Sequence, residues 1–507
     1  MKLFNLRLTT LKSKLYAIVF ASFVVRVVAF FVLPNSASNL APDEGTYAGL
    51  AEAVAKGVPV NETQFGEDLY LISRAFTVPA SLLVRVGFSG LDAVRLIASL
   101  YGLLTVTLIA ITLLRIIDSL QESESFISKN QKSVLTLFAI FGLLPSHLIW
   151  SVLGLREAAM EFWVLVVFSL VFYVFEVKKS LLKWAYLGIL IAIPLVFSSR
   201  PQVGWVLGVT LLIYFLFKVK AKAAQILIPL TIIGIVSGYV VTTAFSVETT
   251  EVFVARTELI ESSPTASSTA ISSPSNTVKP KPSKNGQTTS SPTATSSPTA
   301  TTSAEFDASI LCKSKGQEVS IGESRYLCTK EVEKKSIVGL KNPGVALVDQ
   351  ADAIPVRHEG NKVGAASAIK TLSCPITGES RFEKYFCIAY RAPYMTFTFL
   401  FRPMLGADVT SSSSLFAAAE NVFWLGALLL VAVMFIRNRR LAFFGALAPS
   451  LLFFSIYSVA AGSYEGNMGT AFRHKSLILW VVLLLLASTI VATQQRKAQQ
   501  EEISDRS

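Results

Sequence analysis

Long apolar segments separated by short polar stretches run through most of the chain. An α-helix needs roughly 20 residues to cross the hydrocarbon core of a membrane, and ten segments of this sequence approach that length. The pattern predicts an α-helical polytopic membrane protein with about ten transmembrane helices. The predicted spans cover residues 15–34, 94–114, 133–150, 158–177, 183–198, 201–217, 224–244, 415–436, 441–460 and 475–493.

One further apolar stretch, from Tyr70 to Gly90, does not fit this pattern. Its two arginines, Arg74 and Arg85, enclose only ten residues, and one of these is Pro79. Because this is about half the length that a span requires, we predict an interfacial helix here. It would lie in the first outer loop, residues 35–92.

The basic residues support this topology. With ten spans, both termini and the basic clusters between spans lie on the cytoplasmic side, as the positive-inside rule requires. An eleventh span at the interfacial helix would place every later cluster outside. The clusters are Arg115/Lys129/Lys132, Lys178/Lys179/Lys183, Lys218/Lys220/Lys222 and Arg437/Arg439/Arg440.

Composition agrees with a membrane protein, since 52% of the 507 residues are hydrophobic and only 16% are charged. The net charge of +12 comes from the short clusters between apolar segments, so we predict no nucleic-acid partner. The first apolar segment follows a basic N-terminus like a signal peptide. Its length favours a retained signal anchor in a multi-pass plasma-membrane protein.

A long insertion, residues 246–396, divides the predicted membrane core of spans 1–7 (residues 1–245) from the C-terminal region of spans 8–10 (residues 397–507). Its residues 261–303 are almost entirely Ser, Thr, Pro and Ala, a composition typical of a disordered linker. Residues 304–396 contain all four cysteines. We interpret them as a small disulfide-stapled extracytoplasmic module.

Four cysteines allow three pairings. We favour Cys312–Cys328 with Cys374–Cys387, because each pair encloses a turn-rich segment with aromatic residues beside the second cysteine. A metal site is disfavoured here because Cys-x2-Cys spacing is absent from the sequence.

Candidate chemistry begins directly after the first span, where Asp43 and Glu44 are followed by Tyr47. Paired carboxylates at an outer membrane surface suggest chemistry on a lipid-borne substrate. The structural alternative is a helix start, in which Asp43 caps the helix and the dipole favours Glu44.

Three other places offer polar groups at the same side of the membrane. Arg156 and Glu157 open the fourth span, and Glu161 follows one turn later. Ionisable groups in a span are costly and need a partner or a function, and we assign Arg26 in the first span to structure, paired with Glu161 or Glu176. The other two places are the turn around Arg200 and the segment from Glu465 to Arg473, His474 and Lys475. Interfacial anchoring is the structural alternative for both.

This arrangement resembles the GT-C glycosyltransferases, multispan enzymes that use polyprenyl-phosphate sugars and include protein O-mannosyltransferases and lipid A aminoarabinose transferases. The resemblance covers mainly residues 1–245. It rests on a first span followed by an outer Asp-Glu-x-x-Tyr loop, Asp43 to Tyr47, and then an interfacial helix ending in Gly87 before Arg95-Leu96.

The resemblance implies transfer of a sugar from a polyprenyl-phosphate donor to an extracytoplasmic glycan, lipid or protein, in a bacterial cell envelope. It gives Asp43 the role of catalytic base or metal ligand, with Glu44 beside it, and Glu157 the role of the second acid. The expected substrate-binding residues, which face the lipid phosphate and sugar, are Tyr47, Arg156, Arg200, Arg473 and His474. Arginine suits this task because its guanidinium holds phosphate oxygens in pairs.

The chain also departs from the family. Glu67 and Asp68 stand where some members have a basic residue, and the insertion matches no member. Branches differ in whether they use a divalent metal, which leaves open a metal held by Asp43 and Glu157. Three alternatives remain: a polysaccharide polymerase or ligase of the O-antigen type, a non-catalytic envelope-binding protein, and a transporter, although no repeat of spans is visible.

Overall fold

A computed structural model gives the fold of the chain. It describes residues 11–33, 41, 43–58, 66–120, 125–176, 182–218, 221–243, 247–262, 318–321, 324–338, 374, 380–406, 408–409, 412–437, 444–465 and 468–506. The described residues form two compact units, 1–246 with 338–507, and 247–337. The domain boundaries expected from composition stay predictions.

The first unit is helical. Its helices are α1 Leu11–Val32, α2 Asp43–Lys56, α3 Gly66–Leu71, α4 Arg74–Arg85, α5 Gly90–Leu120, α6 Ser125–Gly142, α7 Pro145–Val152, α8 Glu157–Glu176, α9 Leu182–Phe197, α10 Pro201–Lys218, α11 Ala221–Thr243, α12 Arg381–Phe401, α13 Ser412–Arg437, α14 Phe444–Tyr464 and α15 Met468–Arg506.

Six of the described helices are long and apolar enough to cross a membrane: α1, α5, α11, α13, α14 and α15. The apolar parts of α6 and α7, which meet at 40°, would make a seventh span if the pair crosses together. These are the helices of a helical membrane protein, as the sequence indicates. Helices α8, α9 and α10 coincide with three further predicted spans, and the total of ten stays a prediction, as does the orientation.

Small residues bring the helices of this unit close together. Phe197, at the end of α9, is buried between two glycines of neighbouring helices. A Cβ added at Gly204 would lie 2.5 Å from the Phe197 ring, and one at Gly238 would lie 2.6 Å from it. Small residues are common where helices pack in membranes, and here two glycines let the Phe197 ring of α9 pack closely against α10 and α11.

The predicted interfacial segment contains α4, which has two different faces. Ala75, Phe76 and Ala80 are buried, whereas Val78 and Leu82 are exposed. The buried side packs against α2 and α5, and the Tyr101 hydroxyl of α5 donates to the Ala75 carbonyl at 2.9 Å. This amphipathic helix confirms the predicted secondary structure, while its position at the membrane surface stays a prediction.

The second unit is a three-stranded sheet of β1 Val247–Ser262, β2 Glu318–Ile321 and β3 Ser324–Val338, in the order β1-β3-β2. Strands β2 and β3 are antiparallel. Ile321, the last residue of β2, pairs with Ser324, the first residue of β3. Of the predicted disordered linker, residues 261–303, the first two belong to β1 because the strand extends to Ser262, so the prediction is wrong there. Residues 263–303 and the side chains of Cys312 and Cys328 lie outside the described residues. Their predicted disulfide is therefore not tested.

The second predicted disulfide is confirmed. Cys374 and Cys387 are bonded, with 5.6 Å between their Cα atoms. Cys387 lies on α12, a helix of the first unit, in a segment that the sequence analysis assigns to a separate stapled module. The bond therefore fixes the chain before α12 to that helix.

Candidate functional site

Glu157, the first residue of α8, is the buried centre of a charged cluster. Its Oε1 atom lies 3.4 Å from Nε of Arg473, 3.7 Å from Nη1 of Arg200 and 3.5 Å from Nε2 of His474. Arg200 directly precedes α10, and Arg473 and His474 lie near the start of α15. The fold therefore brings together four residues that the sequence predicts as site residues.

Asp43 belongs to the same cluster. It is the first residue of α2, and its Oδ2 accepts hydrogen bonds from Nη1 and Nη2 of Arg473 at 3.3 and 3.4 Å. Arg473 thus lies between the carboxylates of Asp43 and Glu157. The Asp43 side chain is 53% exposed, whereas that of Glu157 is only 5% exposed, so Asp43 is the accessible carboxylate of the pair.

Glu44 has different partners from its neighbour Asp43. It is fully buried, and it accepts hydrogen bonds from Nε and Nη2 of Arg95 at 2.6 and 2.9 Å. The Gly154 amide donates to Glu44 Oε1 at 2.9 Å. This bidentate pair joins α2 to α5 and to the segment before α8. The geometry therefore gives Glu44 a positioning role, beside the catalytic role that the resemblance implies.

Tyr47 and Arg156 form a second layer next to Asp43. The buried Tyr47 ring contacts Phe76 edge-on at 5.7 Å, and the Arg156 guanidinium lies 5.9 Å from the centre of the Tyr47 ring. Arg156 Nη1 also donates to the Ile72 carbonyl at 3.0 Å. Burial raises the pKa of Tyr47 above its ordinary value, despite the opposing charge of Arg156. The Tyr47 hydroxyl is therefore a neutral hydrogen-bond donor.

His474 links Arg200 to a carboxylate that the sequence analysis did not single out as a site residue. His474 Nδ1 contacts Glu465 Oε1, and Nε2 contacts Nη1 of Arg200. A guanidinium has only donors, so Nε2 accepts and Nδ1 carries the proton that Glu465 accepts. Burial alone would lower the pKa of Arg200, but Tyr464, Glu465 and Glu157 raise it above its ordinary value. Arg200 is therefore a permanent cation.

Removal of this carboxylate should destabilise the protein. Glu465→Ala leaves the buried Nδ1–H of His474 without its acceptor, and we expect a loss of about 1–3 kcal/mol in the free energy of unfolding. Glu465→Gln should lose less, because its amide oxygen still accepts. Thermal unfolding of the purified protein measures both, with Ser463→Ala in the exposed end of α14 as the control. Equal stability of Glu465→Ala and the control would contradict the proposed chain of contacts.

A separate buried polar cluster lies one helical turn further along α8. Glu161 Oε2 lies 3.6 Å from Nδ1 of His147. Arg26, for which the sequence predicts Glu161 or Glu176 as the partner, donates to Ser151 Oγ and to the Ser22 carbonyl, each at 3.1 Å. It also interacts electrostatically with Glu161, and the side chain of Glu176 lies outside the described residues. The hydrogen bonds of Arg26 join α1 to α7, in agreement with the structural role assigned to this residue.

The donors at the site do not form a metal centre. Within the described ranges, no three His, Cys, Asp or Glu side chains form a group that could hold a metal ion. The two carboxylates that the resemblance suggests as ligands, Asp43 and Glu157, both contact the guanidinium of Arg473. A cation of the protein thus already occupies the position between them, and the residues present do not fit a metal.

Comparison with known proteins does not identify a function, so the inference below rests on the geometry of the site residues. No family model, no curated protein and no solved structure matches this chain.

Proposed function

We propose that this chain transfers a sugar from a polyprenyl-phosphate donor to an extracytoplasmic glycan, lipid or protein, with Asp43 as the base. One observation supports the proposal above the others: an accessible carboxylate, Asp43, contacts Arg473, an arginine that also pairs with the buried carboxylate of Glu157. Such a transferase needs a proton acceptor and a phosphate-binding group side by side.

The proposed reaction is a displacement at the anomeric carbon of the donor sugar. The acceptor hydroxyl oxygen forms a bond to that carbon while the bond from the carbon to the phosphate oxygen breaks. The hydroxyl proton passes to Asp43, and the electron pair of the broken bond leaves with the polyprenyl phosphate. Arg473, which is permanently charged, stabilises the departing phosphate. Arg200, which lies 3.7 Å from Glu157, shares this buried carboxylate with Arg473.

The remaining proposals concern the setting of the site. We place it on the extracytoplasmic face of a bacterial plasma membrane, in a protein of about ten spans whose two termini are cytoplasmic. Two described features support a position at one membrane surface. Asp43 lies eleven residues after the end of α1, and Arg473 is the sixth residue of α15. Because both helices are candidate spans, each of the two residues lies near the end of a span.

Depletion of the protein from a cell that depends on it tests the proposal. We expect polyprenyl-phosphate sugar to accumulate and one glycosylated envelope product to disappear, as measured by mass spectrometry. The accumulated lipid, purified and supplied to the chain in vesicles together with envelope extract from the depleted cells as the source of acceptor, should then be consumed. Unchanged lipid-linked sugars and envelope glycans after depletion would contradict a transferase.

A further inference from the structure

Helix α12 has an exposed aromatic face. Four of its aromatic residues follow each other at intervals of four, which places them on one side of an α-helix, and two more lie close to the same side. These six side chains are between 38% and 78% exposed. They are Phe382, Tyr385, Phe386, Tyr390, Tyr394 and Phe397.

The opposite face of α12 packs against α14, one of the candidate spans. The Phe399 ring lies 6.2 Å from that of Tyr457, and a Cβ added at Gly462 would lie 2.8 Å from the backbone of Met395. Position 395 thus lies beside 462 and position 399 beside 457, so the two helices are antiparallel. The C-terminal half of α12 therefore lies at the depth of the span 447–464.

Both ends of α12 are fixed. At the C-terminal end, Lys475 Nζ donates to the carbonyls of Leu400 and Arg402, each at 2.9 Å. An ammonium group in this position satisfies free carbonyls and complements the helix dipole. At the N-terminal end, Ser380 and Glu383 form a capping box, and the Cys374–Cys387 disulfide holds the first turns. The helix is thus a rigid support for its aromatic face.

We propose that the aromatic face of α12 lies against bilayer lipid, with Phe382 at the headgroup level and Phe397 among the acyl chains. These two residues are separated by about 22 Å along the helix, at 1.5 Å per residue. Since position 395 lies beside 462 and position 399 beside 457, Phe397 lies about one turn inside the end of the span 447–464 and Phe382 lies beyond that end. Aromatic side chains are enriched at the membrane–water interface. Phe397 is exposed beside the candidate span α14, so the medium that surrounds this span also reaches its side chain. This proposal does not depend on the glycosyltransferase proposal.

Labelling of the full chain in vesicles tests which medium covers this face. A photoactivated carbene reagent dissolved in the lipid should modify Phe397 as strongly as Phe20, which is 66% exposed on the candidate span α1, and should modify Phe386, nearer the headgroups, more weakly. The buried Trp480 serves as the unlabelled control. Modification of Phe386 and Phe397 only by hydroxyl radicals generated in water would overturn the proposal, and so would protection of both from both reagents, the outcome expected of a protein partner.

A pair of lysine substitutions tests the depth of the two ends. Phe397→Lys places a charge in the hydrocarbon and should lower the yield of correctly inserted protein about tenfold, whereas Phe382→Lys at the headgroup level should change the yield less than about twofold. Protease protection of the vesicles measures insertion. Equal tolerance of lysine at both positions would overturn the proposed depth.

Discussion

Asp43→Asn should lower the rate of sugar transfer by about 10²–10⁴-fold, the range attributed to a positioned general base, while the protein stays folded. The asparagine oxygen can still accept a hydrogen bond from Arg473, and Arg473 keeps its ion pair with Glu157. Because the Asp43 side chain is 53% exposed, no buried group loses its partner. The variant therefore separates the chemistry of the carboxylate from its contribution to the fold.

The measurement is the initial rate of donor consumption by protein reconstituted in vesicles, together with thermal unfolding of the same preparation. Asp92→Asn is the matched control, since Asp92 also opens a helix, α5, and accepts a hydrogen bond from Ser89 at 2.7 Å. Its rate should equal that of the wild type. If Asp43→Asn transferred sugar at the wild-type rate, Asp43 would be a helix-start residue and the proposed mechanism would be wrong.

Arg95→Met should reduce the free energy of unfolding by about 3–5 kcal/mol, the cost of breaking a buried ion pair from one side. Glu44 is fully buried, and its carboxylate would lose both hydrogen bonds from Arg95. Thermal or denaturant unfolding in detergent measures the loss. Lys56→Met is the control, because the Lys56–Glu52 pair is exposed at 3.8 Å and such pairs contribute about 0.3–0.5 kcal/mol.

A double variant distinguishes the charge effect from simple loss of packing. Arg95→Met with Glu44→Gln removes the unpaired charge, and the glutamine oxygen can still accept from the Gly154 amide. We expect the double variant to be more stable than Arg95→Met alone. If the second substitution lowered stability further by its own full cost, the two side chains would not be coupled in the way that the structure indicates.

Apolar patterning predicts the helices well because a membrane helix satisfies its backbone hydrogen bonds within itself. Each of the ten predicted spans coincides with a helix or with the α6–α7 pair. The same reasoning indicates that the acidic pair after α1 has a special environment. Apolar patterning cannot distinguish the roles of Asp43 and Glu44, because their partners are distant in the sequence. Arg473 lies 430 residues from Asp43, and Arg95 lies 51 residues from Glu44.

The parts that sequence reasoning missed depend on tertiary contacts. Apart from its position before α15, nothing in the sequence around Glu465 marks it as a site residue. In the structure it accepts a hydrogen bond from His474 and thereby orients Arg200. The segment 381–396 reads as part of a soluble module because of its cysteine and polar residues. Its packing against α14 is visible only once Met395 and Gly462 are seen side by side.

The contact between Arg473 and Asp43 also has a consequence for the order of biosynthesis. The ribosome adds residue 473 only 430 residues after residue 43, so Asp43 and Arg473 meet when α15 joins the other helices. Every nascent chain is therefore without Arg473, the arginine that we propose to bind the phosphate, until α15 is in place. A polypeptide truncated before α15 would lack Arg473 altogether, and under the proposed mechanism it should transfer no sugar.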